Sequence, residues 1–168
     1  MVGPALNVAA RTGDATLYNQ LASFLPSAKS TDHSINALFA LAAFTQDDLL
    51  QRTLDLINQG KVRQQLYPAL FSSLLSNPAS RDITWDYMKG HWTDLAEKVS
   101  SFGGGGAVSA LGNVCNAQMQ DDVQQFFSTH PAIGAERTLR LSLERIDTCL
   151  KFKQLQQQSM TEWLEEQR

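Results

Sequence analysis

Apolar residues recur along this chain at helical spacing. Leu50, Leu54 and Ile57 fall at i, i+4 and i+7. Trp85, Met88, Trp92, Leu95 and Val99 advance by steps of 3, 4, 3 and 4, and Leu139, Leu143, Ile146 and Leu150 by 4, 3 and 4. Each set lines one face of a helix of period 3.6, so each predicts an amphipathic helix with one buried stripe. The second set predicts one continuous helix carrying both tryptophans. No run alternates apolar and polar residues between turn signals, and the fold class expected is all-α.

The predicted helices are short and well punctuated. "RTGDA" (11–15), "LPSAKSTDHS" (25–34) and "SNPASRD" (76–82) supply turn formers and N-caps. Thr45 with Asp48 resembles a capping box, and Ser80 is the expected N-cap of a helix whose first turn holds Arg81 and Asp82. The glycines of "SFGGGGA" (101–107) predict a flexible joint between two helices, and "THPAIGAER" (129–137) a loop leading into a long last helix.

An internal repeat organises these elements. "ALFALAAFTQDDLLQRTLDLI" (37–57) overlays "AVSALGNVCNAQMQDDVQQFF" (107–127) without a gap, and residues 70–88 follow the same plan with some slippage. Each unit is a short helix, a turn and a second amphipathic helix. One such hairpin cannot cover its own apolar face, so neighbours stack into a curved α–α superhelix of the HEAT or armadillo kind. The whole chain, 1–168, reads as one such domain, and its first residues as the middle of a helix in a longer protein.

Composition excludes several functions. A net charge of −3 and dispersed Lys and Arg argue against a nucleic-acid or anionic-membrane surface. No apolar stretch is long enough to span a bilayer, and the N-terminus lacks the basic and apolar regions of a signal peptide. Cys115 and Cys149 read as two small buried hydrophobes, with a disulfide between them left open.

Catalytic chemistry is not found in the pattern. His33, His91 and His130 stand apart with no HExxH, no serine has a GxSxG setting, and the glycine run lacks a phosphate-loop lysine. The carboxylate pairs Asp47–Asp48, Asp121–Asp122 and Glu165–Glu166 point to different sides of their helices, and two of the three are expected in first turns, where they complement the dipole. Trp85 and Trp92, two turns apart, are core residues of the frame.

The segments "AARTGDATLYNQL", "NALFALAAFTQDDLLQRTLDLI", "KVRQQLYPALFSSLLSNPASRDITWDYMKGHWTDL" and "ERTLRLSLERIDTCLKFKQLQQQSMTEWL" occur in that order. Together they resemble the C-terminal helical domain of zinc aminopeptidases of the aminopeptidase N, endoplasmic-reticulum aminopeptidase and puromycin-sensitive type. The resemblance implies a non-catalytic bowl that caps the catalytic domain of the same polypeptide and contacts peptide substrate. Zinc, on this reading, belongs to that other domain and no cofactor to this chain. Within the matching motifs Arg63 and Gln65 are the candidate substrate contacts, with Arg137 at the start of the last helix a further one. A buried Arg63 that ties neighbouring helix ends together is equally compatible. Leu66 stands where the family often has an acid, and His91 where it often has Asn. The alternative to an aminopeptidase domain is a stand-alone helical-repeat scaffold that binds another protein. The compartment stays open at this point, with the cytoplasm favoured.

Overall fold

The computed structural model describes residues 2–101 and 105–167. Ten α-helices follow one another there: α1 (Val2–Arg11), α2 (Ala15–Phe24), α3 (Thr31–Leu41), α4 (Asp47–Asn58), α5 (Tyr67–Ser76), α6 (Arg81–Gly90), α7 (Trp92–Ser101), α8 (Gly106–Ala110), α9 (Ala117–Thr129) and α10 (Glu136–Glu166). Single 3-10 turns at Leu25–Ser27, Gln64–Leu66 and Leu111–Asn113 fill three connections, and the described residues include no strand.

The helices form two layers. In the first, α1 packs on α3, α3 on α5, α5 on α8 and α8 on α10. In the second, α4 lies against α6, and Trp85 of α6 meets Phe126 and Phe127 of α9 edge-on or tilted. Leu50, Leu54 and Ile57 are buried as their spacing requires, and Ile146 is fully buried while Leu139 and Leu143 pack against the core. This is the stacking of helical hairpins that the repeat predicts. In the gapless overlay Asp47 lies on Ala117, and α4 and α9 begin at those two residues.

Side-chain hydrogen bonds link successive hairpins, three of them at their turns. Gln46 Nε2 donates to Gly13 O at 2.9 Å, and Asn77 Nδ2 donates to Ala42 O and Phe44 O, each at 2.9 Å. Asn113 Nδ2 donates to Ser72 Oγ at 2.8 Å, and the buried Ser142 hydroxyl donates to Val108 O. All these partners are 33 to 41 residues apart, about one repeat. Buried carbonyls at turns require donors, and side chains one repeat away supply them.

The structure corrects five sequence expectations. The stripe from Trp85 onward does not lie on one helix: α6 ends at Gly90, and His91 caps it. The His91 ring stacks on Tyr87 with centroids 4.1 Å apart, and its Nδ1 lies 2.9 Å from Tyr87 O, closing the helix end while the apolar period runs on into α7. Trp85 and Trp92 are nevertheless both buried; the Val99 side chain lies outside the described residues, as do residues 102–104 of the glycine joint.

The Thr45–Asp48 box does not form. Gln46 holds the N-cap position, and its amide accepts from Thr45 N while reaching back to Gly13. Ser80 sits at the N-cap of α6, but its hydroxyl donates backwards to Leu74 O at 2.6 Å, sealing the end of α5. Finally, Cys115 and Cys149 are not separate buried thiols. They form a disulfide, with Cα atoms 5.6 Å apart, that joins the turn before α9 to the middle of α10. Their separation of 34 residues matches the other links between hairpins. The acidic pair Asp47–Asp48 occupies the first turn of α4, whereas Asp121–Asp122 lies beyond the first turn of α9.

Candidate functional site

Alternating layers give the superhelix two edges. The turns just described make one. The other collects the connections that lead from a second-layer helix back to the first layer, and the three sequence candidates all lie along it.

Arg63 and Gln65 belong to the connection between α4 and α5. Helix α4 ends in a Schellman turn: Gly60 takes φ +66°, its N–H donates to Ile57 O, and Lys61 N donates to Leu56 O. Glycine is suited to this left-handed position. The chain then buries Val62 and Leu66 as two pegs in the core, which turns Arg63, Gln64 and Gln65 outward. Arg63 is extended (φ −66°, ψ 135°) and exposed. Its side chain makes no hydrogen bond or ion pair with the described residues. It is thus not the buried tie between helix ends that sequence left open. Arg81 does that work, donating from Nε to Leu75 O at 3.1 Å.

Arg137 lies in the first turn of α10, exposed, after a loop that buries Ala132 and Ala135 and turns at Gly134 with φ +78°. Glu136 precedes it, accepting from Gly134 N, and complements the helix N-terminus. Arg137, Arg140 and Leu141 line a shallow hollow of about 310 Å³. Arg140 was missed in sequence, although its spacing of three from Arg137 puts both on one side of the helix.

Two close approaches tie these connections together. A β-carbon on Gly106 would stand 2.4 Å from Pro68 Cγ, and one on Gly105 would stand 2.7 Å from Thr138 Oγ1. The starts of α5, α8 and α10 therefore lie side by side. Arg63 and Gln65 precede the first of them and Arg137 opens the last, so the structure places the three along one rim, with the positive ends of α5 and α10 facing the same way.

A cleft of about 530 Å³ between α6 and α9 has the opposite character. Asp82, Asp86 and Asp122 line it, with Trp85 and Met119 as its apolar wall. Trp85 Nε1 donates to Asp122 Oδ2 at 2.6 Å, and Lys89 Nζ lies 2.8 Å from the same oxygen and 3.1 Å from Asp86 Oδ1. The Lys89 hydrogen bond holds the Asp122 pKa below the ordinary carboxylate value; partial burial opposes this and the Trp85 bond assists it. Burial disfavours the Lys89 charge, but its bonds to Asp122 and Asp86 outweigh that and raise its pKa. This cluster locks α6 to α9 and is internally satisfied.

The rings of His91 and His130 are also committed locally. His33 opens α3, His91 closes α6, and His130 closes α9, its ring stacked on Phe126 at 4.3 Å with Nδ1 3.1 Å from Phe126 O. They lie at three different helix ends, and no three His, Cys, Asp or Glu side chains among the described residues gather into a group that could hold a metal ion. Among the described residues no helix is long and apolar enough to cross a membrane.

Comparison with known proteins agrees with this architecture. Residues 1–148 match the family described as the ERAP1-like C-terminal domain. Over 163 residues, 95% of the chain, it is 25% identical to "Aminopeptidase 2, mitochondrial" of Saccharomyces cerevisiae. It is 26% identical to "Alanine/arginine aminopeptidase" of the same yeast over 83% of the chain, and 25% identical to "Aminopeptidase M1-C" of Oryza sativa subsp. japonica over 77%. The chain spans 17% of the length of each yeast relative and 15% of the rice one.

Proposed function

Because the chain belongs to the family of ERAP1-like C-terminal domains, a non-catalytic part of aminopeptidases, we propose that it caps the catalytic chamber of a zinc-dependent aminopeptidase and contacts the peptide being trimmed. In this reading the catalytic domain of the same polypeptide is its first partner. Zinc, held by that domain, supplies the hydrolytic chemistry. The residues of this chain bind and orient.

The observation that carries the reading is the rim. Arg63 and Arg137 are exposed guanidinium groups free of partners among the described residues, set beside the N-termini of α5 and α10. An aminopeptidase grips its substrate by the amino end, so the end that reaches a capping domain is the carboxylate. Arginine and helix N-terminal N–H groups are suited to that group. Gln65, on the same connection as Arg63, offers an amide to the peptide backbone. The acidic cleft behind α6 repels a carboxylate and favours its placement on the basic rim.

The Cys115–Cys149 bond supports an oxidising compartment over the cytoplasm. Calorimetric titration of the chain with a decapeptide, as free acid and as C-terminal amide, tests the rim. Saturable binding that weakens on amidation and in Arg63→Ala is expected. Equal binding of acid and amide, or none, would leave the chain a structural lid.

A further inference from the structure

Helices α9 and α10 form the last hairpin, and its two ends are closed differently. At the rim the loop 130–135 joins them. At the far end no short loop does, and the Cys115–Cys149 bond ties the start of α9 to α10 instead. Other contacts of α10 lie upstream on the helix. Ser142 Oγ donates to Val108 O at 3.0 Å, Gln120 Nε2 donates to Leu143 O at 3.4 Å, and Ile146 is fully buried. From Lys151 to Gln167 every residue is exposed. Among the described residues the disulfide is therefore the outermost tether of α10.

The bond is reachable, and its two sulfurs are not equivalent. Both cysteines are half-buried, and Cys149 lines an open hollow of about 490 Å³ with Leu141, Thr148 and Phe152. Glu144 and Arg145 line the same hollow with opposite charges, so a small anionic thiolate is not turned away. Cys115 instead precedes Asn116, the N-cap of α9, whose side chain accepts from Met119 N. A thiolate beside a helix N-terminus is stabilised by the dipole, which makes Cys115 the better leaving group.

We propose that the Cys115–Cys149 bond is a redox-sensitive clasp on the last hairpin, opened by a dithiol that attacks Cys149 and expels Cys115. One thiolate of the dithiol forms a mixed disulfide with Cys149 Sγ, and the electron pair of the protein's S–S bond leaves on Cys115, which then takes up a proton. The second thiol of the reductant, deprotonated, displaces Cys149 in turn. The chain ends with two thiols, and the dithiol ends as a cyclic disulfide. Opening frees the turn that carries Cys115 and Asn116, together with the last packed turn of α10. Asn116 and Gln118 also line the cleft between α6 and α9, so the clasp fixes one wall of that cleft. The inference is independent of the aminopeptidase reading.

Dithiothreitol added to the native chain without denaturant, with timed alkylation and mass spectrometry, tests the opening. Reduction is expected within about tenfold of its rate in the urea-unfolded chain. Hydrogen exchange of the reduced chain is expected to quicken at residues 114–119 and 146–150, to stay unchanged at 37–57 and 130–142, and to recover on reoxidation. The monothiol glutathione, quenched with acid, is expected on Cys149 and not on Cys115. In the single variants, Cys115 of Cys149→Ser is expected to react with iodoacetamide about fivefold faster than Cys149 of Cys115→Ser. Reduction that requires urea, or protection lost across the whole chain, would make the bond a permanent staple and overturn the proposal. Glutathione on Cys115, or a Cys115 thiol that reacts more slowly than Cys149, would overturn it too.

Discussion

Asn77 offers the sharpest test of how the hairpins are joined. Its side-chain amide donates to Ala42 O and Phe44 O, and its Oδ1 accepts from Ala79 N at 3.1 Å. Ala42 and Phe44 are both fully buried, so their carbonyls lose these donors far from bulk solvent when the amide is removed. A buried polar group left without a partner is destabilising by about 1–3 kcal/mol. Two such carbonyls, partly relieved by relaxation, give about 3 kcal/mol for Asn77→Ala. With an unfolding entropy of about 2.1 cal/mol/K per residue, this lowers Tm by about 8 °C for a chain of this length.

The control is Asn113→Ala. That amide also bridges neighbouring hairpins, but its partner Ser72 Oγ makes the bond at an exposed site, where water replaces it. Its removal is expected to change stability by less than about 1 kcal/mol. Urea unfolding followed by far-ultraviolet circular dichroism measures both, with m-values that should match the wild type. If Asn77→Ala lies within about 1 kcal/mol of wild type, or equals Asn113→Ala, the turn-to-turn staple does not hold the stack as argued.

Three further outcomes follow from the same geometry. Reducing the Cys115–Cys149 bond, or Cys149→Ser, releases a loop whose ends are 34 residues apart and is expected to destabilise by about 4 kcal/mol, read from the shift in urea midpoint. Gly106→Ala places a methyl against the rigid ring of Pro68, 2.4 Å from Cγ, and is expected to destabilise by about 1–3 kcal/mol through a forced shift between α5 and α8. Burial raises the hydroxyl pKa of Tyr18, Tyr67 and Tyr87, the last to about 12 with its O–H donating to Asn58 Oδ1. Because the folded pKa lies above the unfolded one, the Tyr87 contribution is intact below pH 10 and is lost as pH rises toward about 12. Phenolate absorbance should therefore appear together with unfolding; a tyrosine that titrates at its ordinary pKa in the folded chain would contradict this burial.

The stacking was legible because burial follows the repeat. Leu41 and Leu111, Leu49 and Met119, and Ile57 and Phe127 are overlaid pairs, and all six are buried. The break after Gly90 was not legible: the apolar steps continue across it, and only the fold of His91 back onto Tyr87 ends the helix. The disulfide was not legible either, since bringing Cys115 to Cys149 depends on where α10 lies against the previous hairpin. For the rim, sequence supplied Arg63, Gln65 and Arg137, while the burial of Val62 and Leu66 decides that Arg63 and Gln65 face outward. Their alignment with Arg137 needed the approach of Pro68, Gly106 and Thr138, which no local pattern records.

Hydrogen exchange of the chain with and without a saturating free-acid decapeptide tests the rim most directly. Slower exchange at residues 58–66 and 130–138, with residues 42–46 and 77–80 on the opposite edge unchanged, is the result this account requires. Protection confined to the opposite edge, or spread evenly over both, would contradict it.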